Sequence, residues 1–142
     1  MVPCDQTEGS ELRRNFTLPD VDTNFLESLG NDFELVTENN VNRVVVKNFK
    51  VLPGYKQTEV DFNVRIEKLY PDVQIDMVYF YPHLERLDGK PIKAIAQDSF
   101  DGKSWQRWSR HRTAKHPWKP GVDNLETHYT CIQSWLEREL LK

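Results

Sequence analysis

Apolar and polar residues alternate in several short runs along the first 81 positions of the chain. The clearest run covers residues 60–66, where apolar side chains occupy every second position, as in a strand with one buried face. Residues 33–37, 42–49 and 76–81 are also rich in β-branched and aromatic residues, and turn-forming residues separate the runs. Because short turns join four consecutive runs, the pattern predicts a four-stranded antiparallel meander.

Two other segments have the spacing of helices. Residues 20–30 end in a glycine and have Asp22 or Thr23 as a candidate cap, so they predict a short helix. A longer helix is predicted from Pro120-Gly121 onward, because apolar residues then recur at helical intervals along one face. These residues are Val122, Leu125, Tyr129, Ile132, Leu136 and Leu140.

The stretch between the fourth strand and the last helix, residues 83–120, has little periodicity and is predicted to be a long loop. A short helix, four strands, a long loop and a second helix indicate the α+β class. With 142 residues the chain is long enough for one core. We therefore expect a single domain over residues 18–142, preceded by a loose polar leader at residues 1–17.

Composition narrows the class of protein without identifying it. Hydrophobic residues make up 38% of the chain and aromatic residues 11%, which favours a folded domain over a disordered one. The net charge of −3 provides no overall attraction for nucleic acid or an anionic membrane. No apolar run approaches the ~18 residues of a membrane span, and the first residues lack the apolar core of a signal peptide.

Cysteine and histidine usage adds two expectations. Cys4 and Cys131 form no disulfide framework, which favours a reducing cytoplasm, and Cys131 is expected to be buried on the last helix. The four histidines lack the close spacing of metal ligands, so neither a metal site nor another cofactor is expected.

The segment GKSWQRWSRHR, residues 102–112, combines tryptophans, basic residues, a serine and a histidine. Trp105, Trp108 and the later Trp118 are first of all candidates for core and loop anchors. From residue 103 to 119 there are six basic residues and no acidic ones, a pattern that suits single-stranded nucleic acid or an acidic protein surface. The basic residues are Lys103, Arg107, Arg110, Arg112, Lys115 and Lys119.

Several short motifs occur in the order found in one known family. LPGY, YPDVQIDMVYF and GKSWQRWSRH, together with Tyr81-Pro82-His83 and Trp118-Lys119-Pro120, resemble prokaryotic ubiquitin-conjugating enzyme family E over residues 18–141. The resemblance implies the ubiquitin-conjugating (UBC) fold. It also implies that a ubiquitin-like protein is taken from a ThiF-type activating enzyme, with a peptidase encoded nearby and a role in defence against phage.

The chain departs from the family pattern at the nucleophile. No cysteine lies between Cys4 and Cys131, and the family spacing counted back from Trp118 reaches Ser109 or Arg110. His83 stands where the family carries an asparagine that helps to hold the oxyanion. The resemblance therefore suggests Ser109 as the acyl acceptor, which would form an oxyester in place of a thioester.

A serine hydroxyl needs a positioned base, because it is almost never ionised at neutral pH. His111 is the nearest candidate in sequence, and His83 or His116 could approach through the fold. The alternative is an inactive adaptor of the same fold, and a weaker one is a module that binds single-stranded nucleic acid. Under the leading hypothesis Arg107 and Arg110 support the reaction, and Trp105, Trp108 and His83 shape a groove for the ubiquitin-like tail.

Overall fold

The computed structural model describes residues 11–142. Its two helices and six strands confirm the α+β class, and all the strands belong to one antiparallel sheet. Neither helix of this described part has the length and apolar character required to cross a membrane.

The first helix, α1, spans Asp20–Ser28 and is followed by Gly30 at φ 77°, as the sequence predicts. The predicted cap is wrong, because Asp22 lies inside the first turn and its side chain is buried. Its carboxylate accepts hydrogen bonds from the Tyr70 hydroxyl (2.7 Å) and from the Leu125 amide (3.1 Å). Asp22 thus joins three separate parts of the chain.

The first four strands follow the four alternating runs of the sequence. Each pairs antiparallel with the next, so they lie side by side in chain order. Asn39 and Asn40 both have positive φ and form the tight turn between the first two strands, a conformation that asparagine tolerates. The strands are β1 (Phe33–Glu38), β2 (Val41–Lys50), β3 (Glu59–Ile66) and β4 (Val78–Tyr81).

The predicted long loop at residues 83–120 is wrong in its middle part, which forms a hairpin of strands β5 (Ile95–Phe100) and β6 (Lys103–Trp108). The hairpin turns at Asp101-Gly102, both with positive φ, and β6 pairs with β4. The sheet therefore has six strands in the order β1-β2-β3-β4-β6-β5. Strand β5 lies at the edge and buries only Phe100, so its sequence carries almost no hydrophobic signal.

The second helix, α2, spans Leu125–Glu139 and begins later than predicted. The Asn124 side chain accepts the Thr127 amide and the Thr127 hydroxyl accepts the Asn124 amide, which closes a capping box. Val122 precedes this cap and is 65% exposed, so it is not part of the apolar face. Leu125, Ile132 and Leu136 of that face are buried, as the spacing predicts.

Both helices pack on one face of the sheet, which we call the inner face. Its core contains alternate residues of the strands, such as Val44, Val64, Phe80 and Trp108. The opposite, outer face holds a second and smaller cluster of buried residues. That cluster consists of Val36, Val45, Tyr79, Phe100 and Trp105.

Residues 11–17, the described part of the predicted leader, are held against β1 and are not loose. Arg14 forms a parallel bridge with Leu35. The Arg13 guanidinium pairs with Glu34 (2.8 Å) and Asp101 (2.7 Å), which holds the pKa of Glu34 down at about 2. Arg13 thereby links β1, at one edge of the sheet, to the turn that joins β6 to β5, the strand at the other edge.

Candidate functional site

Ser109 directly follows β6 and is half-buried. Its amide donates to the carbonyl of Ala94 at 2.9 Å, so the residue just before β5 fixes its backbone. Its hydroxyl forms no hydrogen bond with any residue between 11 and 142. No base within residues 11–142 therefore contacts the hydroxyl in this structure.

Arg110 is fixed by a buried ion pair. Its Nη2 lies 3.1 Å from a carboxylate oxygen of Glu139, its guanidinium stacks 4.8 Å above the Trp108 ring, and its Nη1 contacts the Ser109 carbonyl at 3.4 Å. Glu139 also pairs with Arg86 at 3.3 Å, and the side chains of both Glu139 and Arg86 are 3% exposed. Arg110 thus connects the Ser109 segment to the end of α2, and its charge is already balanced.

His111 is held by Asp76, a residue that sequence reasoning missed. The His111 Nδ1 lies 2.9 and 3.0 Å from the two carboxylate oxygens, an arrangement that orients the ring and leaves Nε2 free. The His111 side chain is 58% exposed. No hydrogen bond joins His111 to Ser109, so the predicted pair is close in sequence but not yet assembled for proton transfer.

Trp105 and Trp108 are 1% and 0% exposed, so the prediction that they shape an open groove is wrong. They point to opposite faces of β6, because side chains three positions apart in a strand cannot share a face. Trp108 packs on Phe80 in the inner core, whereas Trp105 packs against Tyr81 and Phe100 on the outer face. Their interpretation as core anchors is confirmed.

Arg107 also lies on the outer face, away from Arg110. Its strand partners are Tyr79 and Ala96, and no hydrogen bond or ion pair within residues 11–142 connects it to Ser109. The two arginines predicted to support one reaction are therefore separated by the sheet. Arg110 contacts the Ser109 carbonyl, and Arg107 belongs to a different surface.

His83 lies at the other end of β6, where its Nε2 contacts the Ser104 carbonyl at 3.0 Å. The backbone positions of Ser104 and Ser109 are about 16 Å apart, at the usual rise of ~3.3 Å per strand residue. His83 is therefore not a base for Ser109, but it lines a groove of about 400 Å³. We call this the His83 groove, and its lining includes Lys56, His83, Gly89, Lys90, Ile92 and Ile95.

Cys131 is a half-buried free thiol on α2, and it lines a second groove of about 250 Å³ beside His111 and His116. The expectation of a fully buried cysteine is thus corrected. Cys4 lies outside the described residues. Among residues 11–142, no group of three or more histidine, cysteine or acidic side chains is arranged to hold a metal ion.

Arg112, in the basic segment, is also held in place by contacts with neighbouring side chains. Arg112 stacks on Trp118 (5.0 Å) and lies 3.5 Å from Asp123, while Trp118 donates from its indole to the Pro71 carbonyl at 2.8 Å. With Arg110 and Arg112 balanced internally and Arg107 on the outer face, the six basic residues do not form one continuous patch.

The motifs of the sequence mostly have structural roles. The Tyr55 hydroxyl donates to the Leu136 carbonyl at 2.7 Å, so the LPGY turn supports α2. A Cβ atom at Gly54 would lie 2.5 Å from the Leu140 side chain, so this turn requires glycine. Tyr70 of the YPD motif contacts Trp118 of the WKP motif, with ring centroids 6.1 Å apart.

Comparison with known protein families gives one match. The family model described as prokaryotic E2 family E matches residues 18–139. No curated protein and no solved structure matches the chain. Because the family model covers most of the chain, from just before α1 to the end of α2, this protein belongs to prokaryotic E2 family E.

Proposed function

We propose that this protein accepts the C-terminal acyl group of a ubiquitin-like protein from a ThiF-type activating enzyme and passes it to a target. The observation that carries the proposal is the Ser109 hydroxyl, which is free of hydrogen bonds within residues 11–142 at the end of a fixed strand. Family membership supports a role in ubiquitin-like conjugation in general. A peptidase partner and phage defence belong to the same proposal and rest on the family resemblance alone, whereas a cytoplasmic location is proposed from cysteine usage.

The first chemical step is an acyl transfer to serine. The Ser109 oxygen attacks the activated carbonyl carbon at the tail of the modifier, a C–O bond forms, and the bond to the thiol or adenylate leaving group breaks. The hydroxyl proton goes to a base. The resulting oxyester is less reactive than a thioester, and a target amine or hydroxyl then displaces the Ser109 oxygen, which takes a proton back.

His111 is the base that the geometry supports best. Asp76 holds its Nδ1, so the neutral ring presents Nε2 as an acceptor two residues from Ser109. A change in the exposed segment 111–117 would be needed to bring Nε2 to the hydroxyl. Binding of the modifier tail is the event that we expect to cause this change.

The His83 groove is the best site for the tail. It runs from His83 to Ile95, and Ile95 follows Ala94, the residue whose carbonyl binds the Ser109 amide. Lys56 and Lys90 provide positive charge along it. A tail rich in glycine can approach such a groove closely, because it lacks side chains.

One observation favours an inactive adaptor as the second candidate. Arg110 is balanced by Glu139, and His111 is paired with Asp76, so neither contacts the Ser109 hydroxyl. A binding protein of the same family would need only the folded surface. It would hold the modifier or the activating enzyme without forming a covalent bond.

The test is a reconstituted reaction with the cognate modifier, its activating enzyme and ATP. We expect an adduct that survives thiol reductants, is cleaved by hydroxide and maps to Ser109. Ser109→Ala should abolish it, and Ser99→Ala, at an exposed serine of the same hairpin, should not. Ser109→Cys should convert the adduct to a thioester that reductants cleave.

His111→Gln and Asp76→Asn test the base. Both should slow adduct formation, and His111→Gln should have the larger effect. If no adduct forms although the modifier binds, the acyl-transfer proposal is wrong and the inactive adaptor is the better hypothesis. An adduct lost to reductant and mapped to Cys131 would exclude the serine mechanism.

A further inference from the structure

The outer face of the sheet carries a group of polar residues that the proposed reaction does not use. Arg43 of β2 lies directly opposite Arg65 of β3, and Asn63, Tyr79 and Arg107 are opposite one another across β3, β4 and β6. Directly opposite residues in antiparallel strands point to the same side of a sheet. We call this surface the arginine face, and it consists of Arg43, Asn63, Arg65, Asp98 and Arg107.

Hydrogen-bond donors without acceptors accumulate on the arginine face. The Nε atoms of Arg43, Arg65 and Arg107 and the Nδ2 of Asn63 are buried and have no partner within residues 11–142. Asn63 is 0% exposed. Buried donors in native proteins are nearly always satisfied, so this face has more donors than its own acceptors can use, and Arg65 and Arg107 are the two of these residues that are half-exposed.

Only one of the three arginines on this face has a carboxylate partner within the described residues. Arg43 is sandwiched between the Tyr79 and Phe100 rings (4.8 and 4.5 Å) and pairs with Asp98 at 3.0 Å. In the described part of the chain neither Arg65 nor Arg107 forms an ion pair. Like charges directly opposite each other destabilise a sheet, so a negative ligand would offset the cost of placing Arg65 beside Arg43.

We propose that the arginine face docks an acidic segment of a partner protein, whose carboxylates bind Arg65 and Arg107. Both side chains are half-exposed, so their outer nitrogens are open to a ligand while their stems are held on the sheet. Arginine binds a carboxylate through two parallel hydrogen bonds, which suits this donor excess. The inference does not depend on the chemistry at Ser109, which lies outside this surface.

A short acidic peptide fits this surface better than a nucleic acid does. Glu34 of β1, Asp61 of β3 and Asp101 of the hairpin turn lie on or beside the same face. A phosphate backbone that crossed the whole sheet would meet these carboxylates. A segment with two or three acidic side chains could occupy the region around Arg65 and Arg107 without reaching them.

The test is fluorescence anisotropy with a fluorescein-labelled hexaglutamate peptide at low salt, using the full chain. We expect saturable binding that Arg65→Gln/Arg107→Gln weakens at least about tenfold, since each charged contact is worth roughly that factor. Lys50→Gln/Lys93→Gln removes two exposed cations elsewhere and should leave binding nearly unchanged. In nuclear magnetic resonance spectra, the Arg65 and Arg107 Nε–H signals should shift during the titration.

Three results would overturn the inference. One is the absence of peptide binding to the wild-type protein at low salt. Another is equal binding by the arginine double variant and the wild type. The third is tighter binding of a six-nucleotide thymidine strand that the same double variant abolishes, because the surface would then recognise nucleic acid. The adduct assay at Ser109 is separate, so failure of either proposal leaves the other intact.

Discussion

Gln106 and Arg107 are neighbours in β6, and their side chains differ in how well their hydrogen-bonding groups are satisfied. On the inner face the Gln106 amide binds both the amide and the carbonyl of Leu84 (3.0 and 3.1 Å) and accepts from the Trp108 indole at 2.9 Å. On the outer face Arg107 keeps a buried Nε–H for which residues 11–142 supply no acceptor. The same strand thus supplies a fully satisfied polar group to one side and an unsatisfied one to the other.

This contrast extends over the whole sheet. Seven side chains in the described residues have a buried polar atom that forms no hydrogen bond, and five of them lie on the outer face, although one of the five, Asp98, forms an ion pair with Arg43. The inner face carries its ions in balanced sets, such as Arg86 and Arg110 with Glu139 and Asp88. The inner face is therefore organised for stability, and the outer face retains binding capacity at a cost in stability.

The largest effect is expected from breaking the inner ion set. Glu139→Gln removes the carboxylate between Arg86 and Arg110, which leaves the largely buried Arg110 without a counter-charge and Arg86 with Asp88 alone (2.7 Å). We expect the free energy of unfolding in urea to fall by about 3 kcal/mol. The amides of Ser109 and Arg110 should also exchange faster with deuterium, because their segment is anchored through Arg110.

The matched control is Glu137→Gln, on the exposed side of the same helix. It should change the free energy of unfolding by less than about 0.5 kcal/mol. A loss below about 1 kcal/mol for Glu139→Gln would mean that the inner ion set is not needed for stability, and the contrast between the faces would be weaker than inferred.

A smaller, pH-dependent effect is expected from His128 on the inner side of α2. Burial lowers the pKa of His128 from 6.5 to about 4, although its Nε2 binds the Met77 carbonyl at 2.8 Å. The unfolded chain therefore binds more protons below pH 6.5, and stability falls as the pH drops from 6.5 to 4. Between pH 7.5 and 5 we expect a loss of about 2 kcal/mol from this residue.

His128→Gln separates this residue from the acidic groups. The variant should lose the pH dependence between 6.5 and 5, measured as urea unfolding at each pH. Glu34, whose pKa is lowered to about 2 by Arg13, contributes in a different window, because its stabilisation is lost only as the pH falls from 4.5 toward 2. An unchanged slope in His128→Gln would show that another group causes it.

The smallest effect is expected on the outer face, and its sign is opposite. Arg65→Gln removes a charge that faces Arg43 and has no ion pair, so the free energy of unfolding should rise by about 0.5 kcal/mol. Arg43→Gln should lower it by about 1 kcal/mol, because Arg43 stacks on two rings and pairs with Asp98. If Arg65→Gln destabilises the protein instead, the idea that the outer face gives up stability for binding is wrong.

Periodicity predicted both helices and the first four strands, because each buries alternate or helically spaced residues in the inner core. It failed for β5, an edge strand whose residues are mostly exposed, although Asp101-Gly102 carries the usual signal of a hairpin turn. The family spacing counted back from Trp118 reached Ser109 or Arg110, and Ser109 as the acyl acceptor stays a prediction. Spacing could not reveal the partners of His111 and Arg110. Asp76 lies 35 positions from His111 and Glu139 lies 29 positions from Arg110, so each pair becomes neighbours only through the fold.

The sequence by itself determined the α+β class, the family pattern and the absence of a cysteine at the expected nucleophile position, since these depend on local order and residue type. The tertiary structure decided which chemistry-bearing residues meet. It buried Trp105 and Trp108 on opposite faces, separated Arg107 from Arg110, and placed His83 and Ser109 at opposite ends of β6. The physical reason is that strand alternation and pairing register, not distance along the chain, set the side and the neighbours of each side chain.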